Sequence, residues 1–174
     1  MRAVAFLDRD GVLNVDVKYL GSVDKLIWIE GASRAVTLLR EAGFDICVVT
    51  NQSGVARGYY DQTAVNTLHD EMQRQLTAAG AYIDEFVFCP HHPDSDDPRY
   101  AVACDCRKPK PGMLLSLIER RRVDPAASLM IGDKASDMEA ARAAGVPGYL
   151  FSGGRLDAFV EKILTERAHS GARE

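Results

Sequence analysis

No apolar run in this 174-residue chain approaches the length needed to cross a bilayer. The opening Met1-Arg2-Ala3-Val4 passes straight into a short strand pattern, so neither a leader nor a membrane anchor is expected. Basic charge is scarce as well: 21 Lys and Arg against 25 Asp and Glu give a formal net charge of −4. That balance argues against a nucleic-acid partner, because affinity for a phosphate backbone rests on clustered cations. Neither a GxxxxGK[ST] loop nor a GxGxxG turn follows a strand pattern, which removes the two commonest nucleotide cradles. Cysteines number only four, and without an export signal they imply a reducing, cytoplasmic setting in which Cys and His hold metal more often than they pair as disulfides.

What remains is the composition of an ordinary globular protein, 47% hydrophobic and 26% charged. The length predicts a single domain over residues 1–168, with the polar residues 169–174 as a frayed tail. A monomer is expected. Short apolar runs at Val4–Leu7, Ile46–Val49, Phe86–Phe88, Leu129–Ile131 and Gly148–Phe151 read as buried parallel strands. Between them Ala35, Val36, Leu38, Leu39 and Ala42 share one helical face that stops at Gly43, and Val65, Leu68, Met72 and Leu76 form a stripe after a cap at Asp61. Further helices are predicted from Pro111, over Ser136–Ala144, and around Leu156, Phe159, Val160, Ile163 and Leu164. The alternation predicts an α/β fold, a Rossmann-like three-layer parallel sheet. Two segments break it, Asn14–Glu30 and Cys89–Gly112, and long irregular segments of this kind are usually functional.

In open α/β sheets ligands bind at the carboxyl ends of the strands. There the chain places Asp8-Arg9-Asp10-Gly11-Val12, then Thr50-Asn51-Gln52-Ser53-Gly54, then Arg107-Lys108 beyond the third strand, then Gly132-Asp133-Lys134 with Asp137. Carboxylates gathered without His or Cys suit Mg2+, while a lysine and a hydroxyl suit an oxyanion such as phosphate, to which backbone N–H groups of the turn after Asp8 would also donate. Phosphoryl transfer follows, with a carboxylate as nucleophile. Each piece has a plainer reading alone: Asp8 to Gly11 as a turn, Thr50 as a strand end, Lys108 as a solvated charge, Asp137 as a helix cap. Four together and in order outweigh those readings.

A second cluster, Cys89-Pro90-His91 and Cys104-Asp105-Cys106, sets four soft ligands at the ends of one loop with twelve residues between His91 and Cys104. The donor set suits tetrahedral Zn2+, closed and therefore structural, with His92 as an alternative to His91. Cys47 reads as a core thiol, and His69 and His169 as ordinary surface histidines. Pinning this loop would fix Arg107 and Lys108.

These motifs, Asp8-x-Asp10-x-Val12, Thr50, Lys108 and Gly132-Asp133 with Asp137, resemble over nearly the whole chain those of the haloacid dehalogenase-like phosphatases. The resemblance implies that Asp8 attacks phosphorus to form an aspartyl-phosphate and that Asp10 serves as acid and then base. It also implies Mg2+ on the Asp8 and Asp133 side chains and the Asp10 carbonyl, with Asp137 behind them, and no large cap domain. With the zinc loop added, the chain is similar to the subgroup holding heptose-bisphosphate and histidinol-phosphate phosphatases. The run Ser53-Gly54-Val55-Ala56-Arg57-Gly58 favours the heptose members. The function implied is removal of the 7-phosphate of D-glycero-D-manno-heptose 1,7-bisphosphate in nucleotide-activated heptose biosynthesis. Substrate contacts would come from Asp16, Val17, Lys18, Tyr19, Asn51, Gln52, Ser53, Arg107 and Lys134. Val17-Lys18 departs from the His-Gly usual before this Tyr. The alternatives are a histidinol-phosphate or broader sugar-phosphate phosphatase, and a zinc-stabilised binding module without turnover, which would have no use for both Asp8 and Asp10.

Overall fold

Strand β1, Val4–Leu7, is buried along its whole length because it lies at the centre of the sheet and both of its faces are covered. Residues 1–171 are described by this computed structural model of the protein. In chain order the other elements are α1 (Ala32–Glu41), β2 (Asp45–Asn51), α2 (Ser53–Ala56), α3 (Gln62–Ala78), β3 (Glu85–Cys89), α4 (Gly112–Arg121), β4 (Leu129–Gly132), α5 (Ala135–Ala143), β5 (Gly148–Leu150) and α6 (Leu156–Gly171). A three-residue 3-10 turn at Val23–Lys25 precedes α1. The five strands pair in parallel in the order β3-β2-β1-β4-β5.

Successive strand residues face opposite sides of the sheet, and this alternation divides the core in two. Ala5, Leu7, Ile46, Val48, Leu129 and Ile131 pack against α1, α3 and α6 through side chains such as Leu39, Met72 and Val160. Val4, Phe6, Cys47, Val49 and Met130 pack against α4 and α5 through Leu114, Leu117, Ala140 and Ala141. The three-layer parallel sheet expected from the sequence is the one observed, and Cys47 is the core thiol it was read as.

Several expectations are corrected. The edge strands β3 and β5 are only partly buried, since each has a neighbour on one side alone. The short α2 escaped notice because four residues carry no helical period. The predicted frayed tail is helical as far as Gly171, with His169 exposed on α6; residues 172–174 lie outside the described residues. Asp61 does cap α3, its Oδ1 accepting from the Ala64 N–H at 2.8 Å.

The irregular segment after β1 folds back on itself. The Val15 N–H donates to Ile27 O at 2.8 Å and the Ile29 N–H to Leu13 O at 2.9 Å, which makes a small flap with residues 16–19 toward its tip. The order of the strands reverses at β1, where the chain first builds outward to β3 and then returns to β4 on the other side. Such a switch point opens a crevice at the strands' carboxyl ends, and both the flap and the loop after β3 lie there.

Candidate active site

At the end of β1, Asp8 is 6% exposed and its backbone N–H still pairs with β4 through Ile131 O at 2.9 Å. Its Oδ1 accepts from the Arg9 N–H at 2.8 Å and lies 3.0 Å from Lys108 Nζ. Lys108 comes from the loop after β3 and is 3% exposed. Its ammonium has three protons and finds three acceptors: Asp8 Oδ1, Asp137 Oδ1 at 2.7 Å and Val49 O at 2.7 Å. Burial works against the charge of Lys108, but the two carboxylates outweigh it and raise its pKa. Burial pushes the Asp8 carboxyl up to about 6 even against the pull of that lysine.

Asn51, the last residue of β2, clamps the Lys108 backbone from both sides: its Nδ2 donates to Lys108 O at 2.9 Å and its Oδ1 accepts from the Lys108 N–H at 3.0 Å. The side chain predicted to touch substrate thus also holds the lysine. Asn51→Ala is expected to lower stability by about 1–3 kcal/mol in urea unfolding, the cost of leaving a buried backbone pair without partners. An unchanged midpoint would show that the clamp contributes nothing.

Thr50 is buried, and its Oγ1 accepts from Gln52 Nε2 at 2.8 Å, which leaves the hydroxyl proton available. Asp137 has two partners at once: Oδ2 accepts from the Lys134 N–H at 3.0 Å near the start of α5, as a helix cap does, while Oδ1 meets Lys108. Asp133, at the end of β4, has a buried Oδ1 without a hydrogen-bond partner among the described residues. Asp8, Asp133 and Asp137 each bring a carboxylate oxygen within 4.8 Å of the others. An orphaned carboxylate oxygen in an all-oxygen group is what a hard divalent cation such as Mg2+ requires. Gly11 makes room for it, because a Cβ there would stand 2.3 Å from Asp133 Oδ2 and its φ is +85°. The turn offers fewer backbone donors than expected: the Gly11 N–H is taken by Asn14 O at 2.7 Å and the Arg9 N–H by Asp8.

Above this floor opens a cleft of about 520 Å3, walled by Asp10, Asn51, Gln52, Ser53 and Tyr60 and by Asp16, Lys18 and Tyr19 of the flap, with Lys134 opposite. Lys134 Nζ bridges the cleft to Asp16 Oδ2 at 3.2 Å. Tyr19 meets Tyr59 edge to face at 4.8 Å between ring centres. Two residues predicted to contact substrate are not among the walls. Val17 is half-buried against the core, and Arg107 is hooked to His91 O at 3.3 Å. Gln52 is 2% exposed and its bonds run to Asp10, Thr50, Arg9 and Tyr60.

The loop after β3 brings Cys89, His91, Cys104 and Cys106 together with all ligand atoms within 4.8 Å. His91 Nδ1 lies 3.6 Å from Cys89 Sγ and 3.3 Å from Cys106 Sγ; Cys89 Sγ lies 3.7 Å from Cys104 Sγ and 3.0 Å from Cys106 Sγ. The edges of a tetrahedron around zinc with Zn–S bonds of 2.3 Å are about 3.8 Å, close to these separations apart from the shorter Cys89–Cys106 pair, so the group can hold such an ion, and the cysteines are free of disulfides. His92 stands outside the group, its Nδ1 accepting from the Asp94 N–H at 3.2 Å. Gly112 closes the loop with its N–H on Asp105 O at 2.8 Å, an approach a Cβ would block at 2.3 Å from the same oxygen.

Sequence reasoning missed Arg9 and misread His69. Arg9 is fully buried between the two acids and forks onto the Asp10 carboxylate, NH2 reaching Oδ1 and Oδ2 at 3.1 Å each. His69 is 5% exposed, not a surface residue, and contacts Arg9 NH1 at 3.2 Å. The signal was present, because His69 follows Val65 by four positions and Leu68 by one on the apolar stripe of α3.

Comparison with known proteins agrees with this architecture. The family model described as HAD-hydrolase-like matches residues 105–169. The chain is 47% identical over 165 residues to a D-glycero-beta-D-manno-heptose-1,7-bisphosphate 7-phosphatase of Rhodopseudomonas palustris, covering 95% of this chain and 92% of that one. It is 45% identical over 141 residues to the enzyme of the same name from Escherichia coli, covering 81% and 74%. Among solved structures, D,D-heptose 1,7-bisphosphate phosphatase from B. bronchiseptica, complexed with magnesium and phosphate, superposes with a TM-score of 0.81 at 35% identity over 95% of this chain and 99% of that one. The chain belongs to the haloacid dehalogenase-like phosphatase family, in the branch that contains these heptose-bisphosphate phosphatases.

Proposed function

We propose that this protein is a Mg2+-dependent phosphatase that removes the 7-phosphate of D-glycero-β-D-manno-heptose 1,7-bisphosphate, working in the cytoplasm within one catalytic domain over residues 1–168. The carrying observation is the floor of the cleft, where a buried carboxylate, Asp8, lies 3.0 Å from a buried lysine beside an orphaned oxygen of Asp133. The identity to phosphatases named for this substrate supports the choice of sugar, and their names support the β anomer.

In this reading Asp8 Oδ1 is held by Lys108 and the Arg9 N–H, so attack on phosphorus falls to Oδ2. Mg2+ held by the Asp8 and Asp133 side chains and the Asp10 carbonyl would supply charge neutralisation and alignment of the phosphoryl group. The Thr50 hydroxyl, whose proton is free, donates to a transferring oxygen, and Lys108, its three protons already taken by Asp8, Asp137 and Val49 O, sets a fixed positive charge beside the phosphoryl group. Asp10 gives its proton to the leaving sugar oxygen, leaving an aspartyl-phosphate on Asp8, and then takes a proton from the hydrolytic water. Ser53, Lys18, Tyr19 and Lys134 line the cleft where the rest of a sugar bisphosphate would lie. Zn2+ on Cys89, His91, Cys104 and Cys106 would act as a structural clasp.

The test is phosphate release with Mg2+ from each anomer of heptose 1,7-bisphosphate and from histidinol phosphate. The β anomer is expected to lead in kcat/KM by about a hundredfold, ~3 kcal/mol of transition-state discrimination. A lead for histidinol phosphate would reassign the substrate, and no release from any of them would refute the reading.

A further inference from the structure

Arg9 is the largest fully buried side chain among the described residues, and each edge of its guanidinium has a different partner. One edge grips Asp10: Nε lies 3.3 Å from Oδ1 and NH2 lies 3.1 Å from both carboxylate oxygens. NH2 also reaches Leu20 O at 3.2 Å and Gln52 Oε1 at 3.1 Å. The opposite nitrogen, NH1, is met by His69 Nε2 at 3.2 Å. A guanidinium only donates, so Nε2 accepts and the ring is the neutral tautomer with its proton on Nδ1. Burial and the facing Arg9 charge push the His69 pKa down to about 3, in keeping with that tautomer. The ring is itself immobilised, stacked on Phe86 at 4.6 Å and edge-on to Phe88 at 5.9 Å.

A neutral acceptor is the chemically apt choice at this place. It occupies NH1 without adding a second anion, so Asp10 remains the sole carboxylate on the guanidinium among the described residues. Gln52 Nε2 at 2.9 Å from Oδ2 and Asn14 Nδ2 at 2.9 Å from Oδ1 complete the set of donors around Asp10. We propose that His69 is a positioning residue for the reaction: from α3 it anchors the far side of Arg9, and Arg9 in turn sets the orientation of the Asp10 carboxylate toward the leaving oxygen. The inference rests on Asp10 being the acid and base of the proposed phosphatase.

The experiment compares His69→Phe, which keeps a stacked ring but offers no acceptor, with His69→Gln, which restores one. Arg9→Lys, which keeps the charge and loses the fork, is the third variant. On the heptose bisphosphate, kcat of His69→Phe is expected to fall by about 10- to 100-fold, part of the roughly 10^2- to 10^4-fold that a well-placed acid or base contributes, because Asp10 is misoriented but still present, with KM changed less than about twofold. His69→Gln is expected within about threefold of the parent, and Arg9→Lys to share the kcat loss. Rapid-quench measurement adds a signature that a loosened fold would not produce. p-Nitrophenyl phosphate expels a phenolate that needs no proton, so phosphoenzyme formation from it should stay near the parental rate in His69→Phe while formation from the sugar phosphate slows. Parental kcat in His69→Phe or in Arg9→Lys, no rescue by glutamine, or equal slowing for both leaving groups would overturn the inference. A parent that forms no phosphoenzyme at all would instead overturn the underlying mechanism.

Discussion

Asp8→Asn is expected to lose turnover by on the order of 10^4-fold or more while keeping its fold, the scale on which removal of a covalent nucleophile acts. Catalysis suffers because an amide neither attacks phosphorus nor forms a hydrolysable phosphoenzyme, so the acid-stable trapping of label from substrate should vanish along with phosphate release. The fold should survive for a reason visible in the site. Burial disfavours the ionised form of Asp8, and its carboxyl titrates well above the ordinary range. Replacing that charge with a neutral isostere therefore removes an unfavourable desolvation, while Lys108 keeps Asp137 at 2.7 Å and Val49 O at 2.7 Å. Melting measured in chelator should place the variant within a few degrees of the parent, and turnover at the parental rate would exclude Asp8 as nucleophile.

Cys106→Ser is expected to lose bound zinc, several degrees of Tm and about tenfold or more of kcat together, and exhaustive chelation of the parent to reproduce all three. The coupling follows from the chain: Arg107 and Lys108 come directly after Cys106, and Arg107 NH1 already reaches back to His91 O at 3.3 Å. Releasing one ligand frees that end of the loop, so Lys108 would have to be ordered by Asn51 and the two carboxylates alone, at the conformational cost of its neighbours. The sheet should persist, because the cluster hangs from the end of β3 and the core strands are buried without it. Metal analysis, thermal melting and steady-state rates check the three effects. Unchanged zinc content and Tm would refute the clasp, and a fall in Tm without a fall in kcat would separate the loop from the reaction.

Which parts were legible depended on whether the signal was local. Apolar runs and turn residues carry the period of their own element, so the strands, the Asp61 cap and the sheet that follows from their alternation could be read along the chain. The motif acids, Thr50 and Lys108 could be read as a set because a parallel sheet delivers its strand ends to one edge. The cysteine and histidine group could be read from residue type, four soft ligands at the two ends of one loop, and the loop does bring its members together. Contacts made across the fold were not legible. Val17 lies next to cleft-lining Lys18, yet its side chain turns toward the core, and nothing in their adjacency reveals the difference. The apolar stripe of α3 carried the burial of His69, but nothing local carried its partner, a buried arginine sixty residues away.

By itself the sequence determined the α/β class, the order of the elements, and the identity of the acids, hydroxyl, lysine and soft ligands that gather at the strand ends, since each is encoded by residue type and short-range spacing. Only the tertiary structure decided how those groups are held. It showed Asn51 of the cleft wall clamping Lys108, gave Asp137 two partners, left Asp133 Oδ1 without one among the described residues, and placed His69 behind Arg9. The physical reason is that hydrogen bonds between residues far apart in sequence depend on where the packed sheet and helices bring them, and only the assembled core specifies those positions to within the few tenths of an ångström that a hydrogen bond requires.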